Sequence, residues 1–136
     1  MVILYVHVIW CVRKREALLS KPVRRVLLAH MQKEGEEKGL RVIAAGAVED
    51  HLHCLLHLLP SQNLLQVVKS LRALTADWLN ETQLLGREFA WEDEYFAYSV
   101  SPSGIRQVTD YIGKQEEYHQ TKTLDHELDR FKETIA

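Results

Sequence analysis

Two strand-like segments separated by only two residues constrain the fold of this chain more than any other feature. Residues 40–48 are apolar with several β-branched side chains, and residues 51–59 form a second apolar stretch. Only Glu49 and Asp50 lie between them. Strands connected this tightly are expected to pair as an antiparallel hairpin.

Further periodic segments flank this hairpin on both sides. The pattern predicts strands at 2–13 and 95–101, a helix from Ser20 to about Gly39, an amphipathic helix at 62–81, a helix from 103 to about 119 and a short charged helix at 124–134. Up to the helix at 103–119, the order β-α-β-β-α-β-α is the split βαβ arrangement of ferredoxin-like folds. We therefore predict an α+β protein whose antiparallel sheet carries two helices on one face, plus a C-terminal helix that carries Tyr111.

Composition places the chain among ordinary folded proteins and excludes several classes. A length of 136 residues supports one domain, and a core is possible at this size without disulfides or structural metals. The longest apolar run, residues 2–12, is too short for a membrane helix and lacks the features of a signal peptide. Cys11 and Cys54 lie in apolar segments and are expected to be buried and reduced, so we expect a cytoplasmic location.

Histidines on the third predicted strand form the first chemical pattern. His51 and His53 are two residues apart, so their side chains project from the same face, whereas Leu52 and its even-numbered neighbours face the core. Two imidazoles at this spacing can bind one divalent metal, although exposed strand histidines without a ligand are the alternative. His57 shares the same face but is spaced less well for binding, which favours a structural or surface role.

A second pattern lies on the helix predicted to end near residue 119. Tyr111 and Gln115 are four residues apart and share one helix face, and Tyr118 lies almost on that face. Core packing of an amphipathic helix is the alternative interpretation. Together the two patterns allow a metal held by His51, His53 and the Gln115 oxygen to polarise a phosphate that a tyrosine attacks, giving a covalent phosphotyrosine.

These residues resemble the single-tyrosine HUH transposases of the insertion-sequence-200-like group, relatives of the REP-associated tyrosine transposases. The histidine-hydrophobic-histidine motif is His51-Leu52-His53, and the Tyr-x-x-x-Gln motif is Tyr111 with Gln115, followed by Glu116 and His119. The opening strand at 5–10 and the stretch at 89–103 are also similar, and the resemblance covers about residues 3–120.

The resemblance implies a specific activity. Such enzymes cleave and rejoin single-stranded DNA at mobile-element ends, leaving a tyrosine on the 5′ phosphate and freeing a 3′ hydroxyl. It implies Tyr111 as nucleophile, His51, His53 and Gln115 as ligands of Mg²⁺ or Mn²⁺, DNA with hairpin-forming ends as partner, and a homodimer with a composite active site. The whole chain, 1–136, would then be one transposase domain, with a catalytic core at about 2–120 and a short C-terminal helix at about 123–134.

Two departures from the family pattern bear on these assignments. Tyr118 stands before His119 and is an alternative nucleophile, but only Tyr111 has the family spacing to Gln115. His57 occupies a position where an apolar residue is usual.

Charge is distributed unevenly along the chain. The formal net charge is only −2, yet residues 13–25 carry six basic side chains against one acid, Glu16. This segment is a candidate for binding DNA phosphates, with a solvated helix start as the alternative. Its basic members are Arg13, Lys14, Arg15, Lys21, Arg24 and Arg25. The acidic C-terminal segment, which includes Glu127, is expected to face away from DNA.

Competing functions explain less of the sequence. A histidine-triad nucleotide hydrolase would need a histidine where Leu55 stands, and a purely structural metal protein leaves Tyr111 and Gln115 unexplained. A catalytically decayed transposase, or a non-catalytic ferredoxin-like protein that binds single-stranded nucleic acid, stays open as the alternative. The favoured prediction is an active, metal-dependent transposase.

Overall fold

The predicted hairpin forms the side of the sheet from which the site is built. Strand β2 (Arg41–Ala47) pairs antiparallel with β3 (His51–Leu58), and Gly46 lies opposite His53. The register shifts between Val42 and Ala44, where one extra residue is accommodated in β2.

Two further strands complete a four-stranded sheet. Strands β1 (Leu4–Val12) and β4 (Trp91–Val100) pair antiparallel with each other, and β1 also pairs antiparallel with β3, which gives the order β2-β3-β1-β4. The structure is a computed structural model that describes residues 1–119 and 122–133; for residues 130–133 it describes the backbone only. This topology confirms the predicted α+β, ferredoxin-like arrangement.

The main hydrophobic core lies between one face of the sheet and two long helices, α1 (Lys21–Glu37) and α2 (Leu64–Thr82). The side chains of Leu52, Cys54 and Leu56 enter this core, as the alternation of β3 predicts. The Asn63 side chain accepts a hydrogen bond from the backbone N–H of Gln66 and so caps the start of α2.

The opposite face of the sheet is covered by three shorter helices, α3 (Ile105–Gly113), α4 (Gln115–His119) and α5 (Leu124–Glu133). A second apolar cluster joins Ile9 and Cys11 of β1 to Leu124 and Leu128 of α5. Because both faces of β1 are covered, the strand is buried from His7 to its end. Thr134, the predicted last residue of α5, lies outside the described residues.

Two predicted elements differ from the observed ones. The helix expected over 103–119 is broken at Lys114, whose φ of −107° and ψ of 23° leave the helical region. Gly113, which precedes the break, has a low intrinsic helix propensity. Strand β4 begins at Trp91 and not at Tyr95. The apolar pattern does not reveal this earlier start, because the acidic residues 92–94 lie on the edge strand of the sheet and are partly or fully exposed.

Among the described residues, no helix combines the length and the apolar character that crossing a membrane requires.

Candidate metal and nucleophile site

The two strand histidines lie side by side on the helix-covered face that carries α3, α4 and α5. His51 and His53 are opposite Cys11 and Ile9 of β1, so all four side chains project from the same face. The prediction that the two imidazoles share a face is confirmed. Both are buried, with 1% of His51 and none of His53 exposed, which excludes the alternative of exposed strand histidines.

Two residues from the C-terminal helices complete a cluster with these histidines. His51, His53, His119 and Glu127 each place one ligand atom within 4.8 Å of the others. The Nε2 atoms of His51 and His119 are 3.1 Å apart, and the Glu127 Oε1 atom lies 3.1 Å from His53 Nε2 and 3.3 Å from His119 Nε2. Four side chains from strand β3 and helices α4 and α5 therefore place their ligand atoms in one small volume.

Gln115 joins this cluster through its side-chain oxygen. Its Oε1 atom is 3.1 Å from His119 Nε2, and its Nε2 atom donates a long hydrogen bond of 3.4 Å to the Tyr111 carbonyl. Only 2% of the residue is exposed. The structure thus brings His51, His53 and Gln115 together as expected for the predicted ligands, and adds His119 and Glu127 to them.

The Tyr111 hydroxyl reaches the same volume. It donates a hydrogen bond to Oε2 of Glu127, the carboxylate whose other oxygen faces the histidines. The Tyr111 ring also meets the His53 ring edge-on, with centroids 5.9 Å apart. Tyr118, the alternative nucleophile, packs its ring against the Tyr111 ring at 5.4 Å.

Hydrogen bonds and burial push the pKa values of the cluster in different directions. Burial lowers the pKa of His53 to about 4. Burial also acts to lower the pKa of His51, but hydrogen bonds to Asp50 and Glu127 outweigh it and raise that pKa. Burial acts to raise the pKa of Glu127, and the hydrogen bonds with His51 and His53 overcome it and lower that pKa. The cluster therefore holds an ionised carboxylate beside a neutral imidazole.

Three distances within the cluster, those measured from His119 Nε2, fit a divalent metal ion, whereas other ligand atoms lie up to 4.8 Å apart. Ligand atoms about 2.1 Å from one ion are about 3.0 to 3.4 Å apart in octahedral or tetrahedral geometry. The separations at His119 Nε2, which are 3.1 Å to His51, 3.1 Å to Gln115 and 3.3 Å to Glu127, fall in this range.

Sequence analysis did not identify Glu127 as a member of the cluster. The acidic C-terminal segment is expected to face away from DNA, whereas Glu127 is only 1% exposed and lies within the cluster. Leu124 and Leu128 are spaced four residues apart on the buried face of α5, and Glu127 lies beside them on that face. A helical plot of α5 would therefore have placed Glu127 inward.

The basic residues predicted to bind DNA divide into two groups. Five of them are exposed: Arg13, Lys14, Arg15, Lys21 and Arg25. Arg24 is buried, and its guanidinium donates to Glu116 Oε1 at 2.7 Å and to the Leu19 carbonyl at 2.8 Å. Arg24 therefore has an internal role, joining the start of α1 to α4.

Two cavities connect these basic residues to the cluster. A cleft of about 510 Å³ is lined by His51 and His119 together with Arg24 and Lys122. A neighbouring cavity of about 290 Å³ is lined by Arg24, Gln115 and the basic side chains of Lys21, Arg25 and Lys114. Glu49, Asp50 and Glu116 also line the cleft beside His51, whereas the smaller cavity has four basic side chains against Glu116 and Glu117, so only the smaller cavity carries an excess of positive charge.

His57 lies apart from the cluster on the same strand. Its ring is 5.1 Å from the Tyr5 ring, and its Nδ1 atom is 3.5 Å from an Arg41 guanidinium nitrogen. These contacts agree with the structural or surface role predicted for it.

Comparisons with known proteins agree with the fold and identify a family. Residues 1–115 match the family model described as "Transposase IS200 like". The chain is 30% identical over 114 residues to the ISDra2 transposase TnpA of Deinococcus radiodurans, which covers 80% of this chain and 81% of that protein.

Two solved structures share the fold. One is a crystal structure of a protein described as a candidate transposase from Deinococcus radiodurans, with a TM-score of 0.68 and 24% identity over 85% of this chain and 92% of the other. The second is a REP-associated tyrosine transposase bound to a REP hairpin, with a TM-score of 0.62 and 15% identity over 85% of this chain and 67% of the other.

Proposed function

The chain belongs to the IS200-like transposase family, and from this premise we propose that it cleaves and rejoins single-stranded DNA at mobile-element ends through a covalent 5′-phosphotyrosine at Tyr111. One observation carries the proposal. The Tyr111 hydroxyl is hydrogen-bonded to Glu127, and the same carboxylate contacts His51, His53 and His119. A nucleophile and a set of metal-binding side chains therefore share one site.

The proposed ligands are His51, His53 and Gln115, to which the geometry adds His119 and Glu127. A divalent ion bound there, Mn²⁺ or Mg²⁺, would supply Lewis-acid polarisation of a phosphate oxygen. Asp50 accepts a hydrogen bond from Nδ1 of His51 at 2.7 Å, which turns the Nε2 atom of that ring toward the cluster.

The chemical step follows from the position of Tyr111. Its oxygen forms the new bond to phosphorus while the bond from phosphorus to the 3′ oxygen breaks, leaving the 5′ phosphate on Tyr111 and a free 3′ hydroxyl. The reverse attack by a 3′ hydroxyl rejoins the strand. Glu127 holds the Tyr111 hydroxyl in place through its hydrogen bond.

Exposed basic residues support single-stranded DNA as the substrate. The 510 Å³ cleft opens beside His51 and His119, and Lys21 and Arg25 line the adjoining cavity. Positive side chains along such a path neutralise backbone phosphates. One structural relative is bound to a REP hairpin, so we propose that the DNA partner also carries hairpin-forming ends.

We retain the homodimer with a composite active site as part of the proposal. Within one chain Tyr111 already reaches the histidine cluster, so the geometry described above corresponds to a site assembled in cis. Light scattering on the full chain tests whether it dimerises. Mixing Tyr111→Phe subunits with His53→Ala subunits then tests exchange, since recovered activity requires a site shared between subunits.

The decisive experiment follows covalent adduct formation. Single-stranded DNA from the ends of the element is incubated with the protein and Mn²⁺, and the products are separated on a denaturing gel. We expect a protein–DNA adduct that Tyr111→Phe abolishes and Tyr118→Phe retains, because Tyr111 contacts the cluster through Glu127. An adduct that survives Tyr111→Phe contradicts the nucleophile assignment. DNA binding without any adduct would support the alternative, a catalytically decayed or purely binding protein.

A further inference from the structure

His7 lies directly beneath the histidine cluster, on the central strand β1. It is 2% exposed, and its Nε2 atom is 2.8 Å from Nδ1 of His53. In the register of β1 and β3, His7 is opposite Leu55 and His53 is opposite Ile9, so the two histidines are diagonal neighbours on one face. His7 is not among the proposed metal ligands.

We propose that His7 is a positioning residue for metal binding, which fixes the tautomer and the ring orientation of His53. A neutral imidazole carries one N–H. When Nε2 of His53 serves as a metal ligand, its one N–H would lie on Nδ1 and would be donated to Nε2 of His7; without the ion, the same Nε2 atom lies 3.1 Å from the Glu127 carboxylate. This inference rests on the proposed function, since it concerns the same metal site.

His51 shows the same arrangement with a different partner. Its Nδ1 atom is 2.7 Å from an Asp50 carboxylate oxygen, and its Nε2 atom faces His119 at 3.1 Å. Both strand histidines therefore have a partner at Nδ1 and direct Nε2 inward. Ligating histidines generally donate their second ring N–H to such a partner, and removing it costs about 10- to 100-fold in metal affinity.

The environment of His7 leaves it suited to this role. The ring is buried, and its Nε2 atom lies 2.8 Å from Nδ1 of His53, where it can accept a hydrogen bond. Its ring also meets the Tyr111 ring edge-on, with centroids 6.2 Å apart. Variants that keep the side-chain volume are needed, so that Tyr111 does not move.

Two variants of similar size separate hydrogen bonding from packing. In His7→Gln the amide oxygen can accept the hydrogen bond from His53, whereas His7→Leu fills the space without an acceptor. His57→Leu is the matched control, because His57 lies on the same strand as His53 and outside the cluster. Mn²⁺ affinity of the full chain is measured by calorimetry, with circular dichroism and urea unfolding as checks of folding.

We expect His7→Leu to weaken Mn²⁺ binding about 10- to 100-fold, His7→Gln to stay within about threefold of wild type, and His57→Leu to leave the affinity unchanged. Equal affinities for His7→Leu and wild type, or equal losses in His7→Leu and His7→Gln, would overturn the inference. A general loss of stability would instead lower the Mn²⁺ affinity of each variant in step with the fall in its urea midpoint.

A measurement on the wild-type protein needs no substitution. Long-range ¹⁵N NMR of the chain loaded with Zn²⁺, a diamagnetic ion that imidazoles bind well, reports which ring nitrogen of each histidine carries the proton. We expect the Nδ1–H tautomer for His53, and an Nε2–H tautomer would overturn the inference. If the wild-type chain binds no Mn²⁺, the metal site of the proposed function fails together with this inference. If it binds Mn²⁺ and His53→Ala abolishes binding while His7→Leu has no effect, only the inference fails.

Discussion

Replacement of Gly46 by alanine should push helix α3, which carries Tyr111, away from the sheet. Gly46 lies on β2, opposite His53, where helix α3 crosses the strand. A Cβ atom at this position would lie 3.1 Å from Cγ2 of Ile112 and 3.2 Å from its carbonyl carbon, and closer still to its carbonyl oxygen. Ile112 follows Tyr111 directly and is 1% exposed, so the clash falls on the backbone that positions the nucleophile.

The size of the effect follows from these distances. The atom that the Cβ approaches most closely belongs to the helix backbone, which cannot rotate away as a flexible side chain can. Relief of the contact requires α3 and β2 to separate by about 1 Å, and overpacking of this kind costs about 1–3 kcal/mol. A misplacement of about 1 Å at a reacting group can lower the rate by about 100-fold. If β2 moves instead, the displacement passes to His53 through the strand pairing.

The assay combines stability and activity. With a urea m-value of about 2 kcal/mol/M, Gly46→Ala should lower the unfolding midpoint by about 0.5–1.5 M. Covalent adduct formation should fall by about 100-fold. Gly35→Ala is the control: its Cβ would lie 3.5 Å from the Leu71 side chain, an ordinary contact, and it should stabilise α1 by about 0.5–1 kcal/mol. Wild-type stability and activity in Gly46→Ala would refute the packing of α3 described here.

Two further predictions concern pH and the contact between α1 and α4. In EDTA-treated protein, burial lowers the pKa of His7 to about 3 and that of His53 to about 4, from 6.5 in the unfolded chain. The unfolded chain then binds protons that the folded chain excludes. Stability is therefore lost as the pH falls from 6.5 toward 4, and at about pH 5 each group contributes a loss of about 2 kcal/mol. Urea unfolding at about pH 7.5 and about pH 5 should show a loss about 2 kcal/mol smaller in His7→Gln than in wild type, and equal losses would contradict the burial of His7. Arg24→Met should destabilise the fold by about 1.5–3 kcal/mol in thermal unfolding because it removes charged hydrogen bonds to Glu116 and the Leu19 carbonyl. Glu116→Gln should cost less than about 1 kcal/mol because Glu116 is half exposed, and the reverse order would rule out the internal role of Arg24.

The parts of the fold that followed from the sequence are those with a regular apolar period. The hairpin of β2 and β3 and the shared face of His51 and His53 depend only on the alternation of side chains along a strand. The break at Lys114 could not be predicted in this way, because the i, i+4 spacing of Tyr111 and Gln115 is the same in a continuous helix. The break follows Gly113, whose helix propensity is low, and the next helix begins at Gln115, whose side-chain oxygen lies 3.1 Å from His119 Nε2.

The contacts of Glu127 with the histidines could not be predicted from the sequence for a different reason. A charged residue in an acidic segment is normally solvated, since burial of a carboxylate costs several kcal/mol unless it is paired. The pairing partners of Glu127 come from β3 and α4, at residues 51, 53 and 119, and this separation of at least eight residues along the chain hides them from any local pattern.

The site therefore combines two kinds of support. His51 and His53 are fixed by the central strands, where backbone pairing and two apolar layers leave little freedom, and His7 adds a further contact from β1. Gln115, His119 and Glu127 come from short helices, whose positions depend on side-chain contacts. The ion pair of Arg24 with Glu116 and that of Arg15 with Asp125 join these helices to the basic segment at the start of α1. Two members of the basic segment at residues 13–25, Arg15 and Arg24, thus contact the helices that supply His119, Gln115 and Glu127 to the cluster.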